Sequence, residues 1–155
     1  LNFIGLIKKM LTNLIVDMKE AMKNKDKNKL LALRNMISTI KAKQIDSGKT
    51  LSNDESIKIV QGIAKKLKDS ITQYKNGNRE DLAETEQIEL NFVKSYLPEQ
   101  LTEDNLRKIV QEVITECGAT SMADMKNVMP LLMPKIAGKG DGKLASNLVR
   151  EILQA

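Results

Sequence analysis

Histidine is absent from this sequence of 155 residues, which removes Ser-His-Asp and Cys-His catalysis, His-ligated zinc or haem, and any imidazole pH switch together. Tryptophan is also missing, and aromatics make up only 3% of the chain. With turn dipeptides scarce as well, an all-β sandwich or barrel is excluded in practice. The lone Cys117 can neither close an intrachain disulfide nor join a cysteine cluster, which fits a reducing compartment. Its expected role is that of a small buried hydrophobe. The apolar residues 1–7 are far too short to cross a bilayer and no later run is both long and uncharged, so a soluble protein without membrane contact is expected. The chain begins at Leu1 rather than Met, and the expected site is cytoplasmic, or organellar if a targeting segment once preceded it.

What is present is helix-forming sequence with an uneven charge. The net charge of +5 conceals a gradient: residues 1–50 hold eleven Lys and Arg against four Asp and Glu, residues 51–100 seven against nine, and residues 101–155 seven against seven. All the excess base therefore lies near the N-terminus, as a polyanion-facing surface or as a solvated lysine-rich helix.

Apolar residues at alternating spacings of three and four mark the helices. Ile4, Ile7, Leu11, Leu14, Met18 and Ala21 define the first, and Leu30, Leu33, Ile37 and Ile40 a second over residues 28–45, the two forming a hairpin. Ser52 and Glu55 spell a capping box that opens a third, carrying Ile57, Val60, Ile63, Ala64, Leu67, Ile71 and Tyr74. A fourth runs from about Arg79 to Leu97 with Leu82, Ile88, Phe92, Val93 and Tyr96 as its apolar face, and Pro98 stops it. Domains are expected at residues 1–98 and 99–155. In the second, Thr102 caps a helix that buries Leu106, Ile109, Val110, Val113 and Ile114, with Leu101 stapled onto Leu106, and Gly118 ends it. A helix with Met125, Val128, Met129 and Leu132 follows, which Pro130 and Pro134 are expected to kink or fragment. The last covers residues 142–153 and presents Leu144, Leu148, Val149 and Ile152. The expected fold is thus all-α: about four helices in N-terminal hairpins, then a small C-terminal three-helix module.

Three groups of residues bear on chemistry. Lys27, Arg34 and Lys41 recur every seven residues, and two helical turns return to within about 20° of the starting direction, so they share one face. Lys43, Lys65, Lys66 and Lys68 extend that row if the second and third helices lie side by side. Such a row suits a phosphate backbone; a solvated face is the plain alternative. Without stacking aromatics, capture of flipped single-stranded bases is not expected. Gly138-Lys139-Gly140-Asp141-Gly142-Lys143 is no Walker loop, because the preceding strand is missing and Leu144 stands where Ser or Thr is required. It reads as a flexible loop with Asp141 capping the last helix, either a mere connection or a phosphate holder through free amides and Lys139 or Lys143. Asp81, Glu84, Glu86 and Glu89 read as an exposed face that offsets neighbouring lysines. No nucleophile has an adjacent base, so no catalytic residue, metal or cofactor is assigned, and catalysis by the chain alone is not expected. The eight Met serve as gap-filling core or as a peptide-binding groove.

The runs NREDLAETEQIELNFVKSYLPEQLTEDNLRKIV and GATSMADMKNVMPLLMPKIAGKGDGKLASNLVREIL, with LALRNMISTIKAKQID, resemble the GatB/YqeY family, in particular its free-standing YqeY-like members. The resemblance implies an all-helical, two-part fold. It also implies kinship with the tail of the B subunit of glutamine-dependent tRNA amidotransferase, a tail that contacts tRNA while the catalytic sites lie elsewhere; the label of carbon-nitrogen ligase with glutamine as amide donor comes with that kinship. On this basis Lys135, Lys139 and Lys143 are expected to contact tRNA, with Arg34, Lys41 and Lys27 as further basic residues. The chain departs from the family pattern at Lys126 and Pro130, where Gly is expected. The expected function is a non-catalytic tRNA-binding accessory gripping RNA through basic surfaces, one per domain. The alternative is a protein-interaction adaptor, docking on amidotransferase subunits or other translation components through an exposed patch at Met125, Met129 and Met133.

Overall fold

Local signals set most helix boundaries. The computed structural model describes residues 10–155, in which seven α-helices and one short 3-10 turn occur and no strand. The expected first positions of the N-terminal stripe, Ile4 and Ile7, lie outside the described residues. Helix α1 spans Met10–Lys23, α2 Lys27–Ser47, α3 Asn53–Asn76, α4 Glu80–Lys94, α5 Glu103–Cys117, α6 Met125–Ile136 and α7 Gly142–Gln154. Asp26 caps α2 by accepting from the Lys29 amide. At α3 the Ser52 hydroxyl accepts from the Glu55 amide at 3.2 Å and the Glu55 carboxylate accepts from the Ser52 amide at 2.8 Å, satisfying two orphan donors reciprocally. Thr102 caps α5, and Gly118 closes it in the left-handed conformation at φ 69°, where a β-carbon is strained.

The chain divides into two compact units that part between Leu97 and Pro98. In the first, α3 packs along α4, α1 along α2, and α2 also meets α4. Leu14, Leu33, Met36, Ile40, Val60 and Val93 are fully buried there. Met36 fills core space while Met22 lies exposed. Helix α4 turns inward a face that keeps the expected Val93 but not Ile88. Ala83, Leu90 and Val93 are buried, Leu82, Phe92 and Tyr96 are half-buried and Ile88 is 38% exposed. The helix also stops at Lys94, three residues short of Leu97.

In the second unit α5, α6 and α7 enclose Leu106, Val110, Val113, Val128, Leu132, Ile136, Ala145, Leu148 and Val149. Of the two expected effects of Pro130 and Pro134, fragmentation does not occur, since α6 is continuous through both. Both lie exposed, so the carbonyls of Lys126 and Pro130 that lose their intrahelical donors face water rather than the core. Cys117 is half-buried, not sealed inside, because it sits at the frayed end of α5.

Candidate nucleic-acid interface

Lys27, Arg34 and Lys41 are all exposed on α2, opposite the buried face formed by Leu33, Met36, Ile37 and Ile40. None of the three enters an ion pair among the described residues. The row is not purely cationic. Leu31 and Ile45 fall between and beyond its members at helical spacing and are 56% and 79% exposed. This was readable from the sequence, since each lies four residues after a basic member of the row.

On α3 only part of the expected extension shares one side. Successive residues differ by about 100° around a helix, so Lys65 and Lys68, three apart, lie within about 60° of each other while Lys66 points about 100° and 160° away from them. The three cannot form one track.

The glycine-rich segment is tied down rather than slack. The Leu101 amide donates to the Lys139 carbonyl at 2.7 Å, and the Gln100 side-chain amide donates to the carbonyls of Pro98 and Gly138 at 2.7 and 2.9 Å. Gly138 has φ 76°, and a β-carbon at Gly140 would lie 3.3 Å from the Ile136 side chain and 3.5 Å from Leu101 and Leu106. The expected staple of Leu101 onto Leu106 thus closes over this loop. The amides of Lys139 and Gly140 both donate to the Ile136 carbonyl, and those of Lys143 and Leu144 to the Asp141 carboxylate. These amides are therefore spent, and the Asp141 carboxylate already occupies the N-terminus of α7. The phosphate cradle that the glycines suggested is replaced by a structural closure whose polar offer is its lysine side chains.

Lys139, on that fixed loop, and Lys143, in the first turn of α7, are exposed and enter no ion pair among the described residues. Lys135 differs, since its ammonium donates to the Glu116 carboxylate at 3.1 Å. Its charge is answered locally, which separates it from the other two.

Of the acidic residues of α4, Asp81 and Glu84 are exposed and Glu86 and Glu89 half-buried. Asp81 pairs with Arg79 at 3.0 Å, which holds its carboxyl below the ordinary carboxylate range, and Glu89 accepts from the Asn35 side-chain amide at 2.8 Å. Burial, helped by Glu89, pushes the Glu86 carboxyl up. Among the described residues no group of acids or cysteine is placed to hold a metal ion, and no helix is long and apolar enough to cross a membrane.

The methionine patch is also redrawn. Met125 and Met129 are half-buried against the second core, while Met133 and Leu131 are 41% and 47% exposed beside the exposed Pro130 and Pro134. Among the polar contacts that sequence reasoning missed, the Tyr96 hydroxyl donates to Asp17 at 2.6 Å across 79 positions of sequence. No local signal announces a pair so distant.

Comparison with known proteins gives a consistent picture. The family model described as Yqey-like protein matches residues 11–153. The chain is 34% identical over 125 residues to a protein of Vanderwaltozyma polyspora named altered inheritance of mitochondria protein 41, mitochondrial, covering 76% of this chain and 67% of that one. The protein of the same name from Saccharomyces cerevisiae is 31% identical over 121 residues, covering 73% and 64%, and that from Lachancea thermotolerans 37% over 86 residues, covering 55% and 46%. The chain thus spans about two thirds or less of the length of these curated relatives.

Proposed function

The chain belongs to the YqeY-like protein family, and from that premise we propose that it is a non-catalytic accessory of translation that binds tRNA. The second unit makes the contact, as a module akin to the amidotransferase tail. Lys139 and Lys143 reach the phosphate backbone, and bond-making is left to other proteins. One observation carries this reading: two exposed cations without ion-pair partners among the described residues stand on fixed backbone, Lys139 on a loop held by hydrogen bonds from Gln100 and Leu101 and Lys143 in the capped first turn of α7, so ordering them for a ligand costs little backbone entropy. Lys135, engaged with Glu116, is a weaker contributor, and Lys27, Arg34 and Lys41 are weaker again because apolar side chains share their face. Recognition is by shape and phosphate, in keeping with the scarcity of aromatics. By kinship with relatives whose names place them in mitochondria, the site of action is organellar. The test is binding of the purified chain to transcribed tRNA at low salt. Lys139→Glu with Lys143→Glu should weaken it by roughly tenfold or more with the helical circular dichroism unchanged; absent binding, or indifference to both changes, removes the proposal.

A second reading rests on Leu131 and Met133, whose exposure beside Pro130 and Pro134 gives α6 an apolar outer side. In that reading the unit is an adaptor on amidotransferase subunits, and Leu131→Glu with Met133→Glu abolishes association with those subunits while leaving tRNA affinity intact. Association that survives both changes excludes it.

A further inference from the structure

The solvent face of α2 is built as a seam. Lys27, Leu31, Arg34, Ser38, Lys41 and Ile45 follow one another at intervals of four, three, four, three and four residues, the spacing that keeps side chains in one line along a helix. The line alternates in chemistry: cations at the first, third and fifth places, and Leu31, Ser38 and Ile45 at the second, fourth and sixth. It runs for about 27 Å at the helical rise. All but one member of this line is a charged or apolar residue, and the exception, Ser38, is small and already donates its hydroxyl to the Asn35 carbonyl at 3.1 Å. Ile45 is the most exposed large apolar side chain described, at 79%. Beside it lies an open hollow of about 440 Å³ lined by Lys41, Gln44, Ile45, Gly48, Lys49 and Thr50.

We propose that this face is a docking seam for one acidic amphipathic helix of a partner protein. The alternation of three and four is the spacing at which a single helix lies along another, its side chains entering the gaps between neighbours. Charge selects the occupant: acidic side chains seven residues apart meet Lys27, Arg34 and Lys41, and apolar ones fourteen residues apart cover Leu31 and Ile45, the latter at the mouth of the hollow. A phosphate track gains nothing from apolar groups placed between its cations. A second copy of the chain fits poorly, because a two-fold antiparallel contact centred on this seam sets Lys27 against Ile45, Leu31 against Lys41 and Arg34 against Ser38, so no cation meets an opposite charge. A lipid surface is poorly matched too, as only two bulky apolar residues occupy five turns. This inference goes beyond the tRNA reading and uses a different unit of the chain.

The experiment uses the full chain and a fluorescent three-heptad peptide shown to be monomeric, with Leu at the two positions facing Leu31 and Ile45 and Glu at the three facing the cations. A control peptide has the same residues permuted off that face. The expected result is preference for the first peptide by roughly tenfold or more, lost to a similar extent in Leu31→Glu with Ile45→Glu and, separately, in Arg34→Glu with Lys41→Glu. These positions are exposed, so the helical dichroism of each variant should match wild type, and the tRNA affinity of the Leu31 and Ile45 variant should be unchanged. The proposal is overturned by equal binding of both peptides or by binding indifferent to the apolar changes. It is equally overturned if those changes weaken tRNA binding instead, or if the free chain is a dimer that they dissociate.

Discussion

Replacing Tyr96 by Phe tests how the first unit is held together. The Tyr96 hydroxyl donates to the Asp17 carboxylate at 2.6 Å, pinning the segment after α4 to α1, while its ring is half-buried against the core. A hydrogen bond to a charged group contributes about 1.5–3 kcal/mol when sheltered. Both partners here are partly solvated, which reduces the expected cost of Tyr96→Phe to about 1–1.5 kcal/mol. For a unit of roughly 100 residues that is a fall in Tm of about 4–10 °C. Alkaline titration supplies a second readout. Burial first, then the hydrogen bond to Asp17 and the charges of Asp17 and Glu20, raise the phenol above its ordinary value of 10.0. A raised folded pKa stabilises the protein fully below the unfolded value and less as pH climbs past it. Wild type should therefore lose its advantage over the Phe variant above about pH 10, lysine titration cancelling in the comparison. Chemical denaturation across pH 7–11, with Asp17→Asn and the double variant completing a cycle, measures both effects. A variant within about 0.3 kcal/mol of wild type, or a gap that widens above pH 10, refutes the reasoning.

Two further outcomes follow from burial and capping. Leu33→Ala, at a wholly buried position, should cost about 2–5 kcal/mol, whereas Leu31→Ala, two residues away and 56% exposed, should stay within about 0.5 kcal/mol in equilibrium unfolding. Asp124 accepts from the amides of Thr120 and Ser121 at 2.8 and 3.0 Å, which holds its carboxyl below the ordinary 3.8. The stability it lends is present above that value and fades as pH falls through the lower folded one. Acid titration followed by hydrogen exchange at residues 120–124 should show this loss, and Asp124→Asn should remove the dependence.

Signals confined to a few residues were the most legible. The Ser52 and Glu55 box, the Thr102 and Asp141 caps and the Gly118 terminator are each set by groups within four positions of one another, so the sequence alone places them. The inward face of α4 was not, because which of Ala83 and Ile88 is buried depends on how closely neighbouring helices approach. Pro130 and Pro134 misled for the same reason: their effect on α6 depends on whether the orphaned carbonyls meet water, and exposure is a property of the folded unit. At the candidate interface the sequence grouped the α2 cations correctly on one face. It could not show that Lys135 meets Glu116, nineteen residues away, or that the loop amides around Gly140 are already engaged.

The account rests on two lysines held out from a fixed loop and the helix turn that follows it, and the dependence of tRNA affinity on salt tests that most directly. The logarithm of the association constant, plotted against the logarithm of salt concentration, should fall steeply for wild type, and the slope should shrink by about 1 for each of Lys139 and Lys143 replaced by Gln. A slope the same in wild type and the double variant, or no binding at low salt, contradicts it.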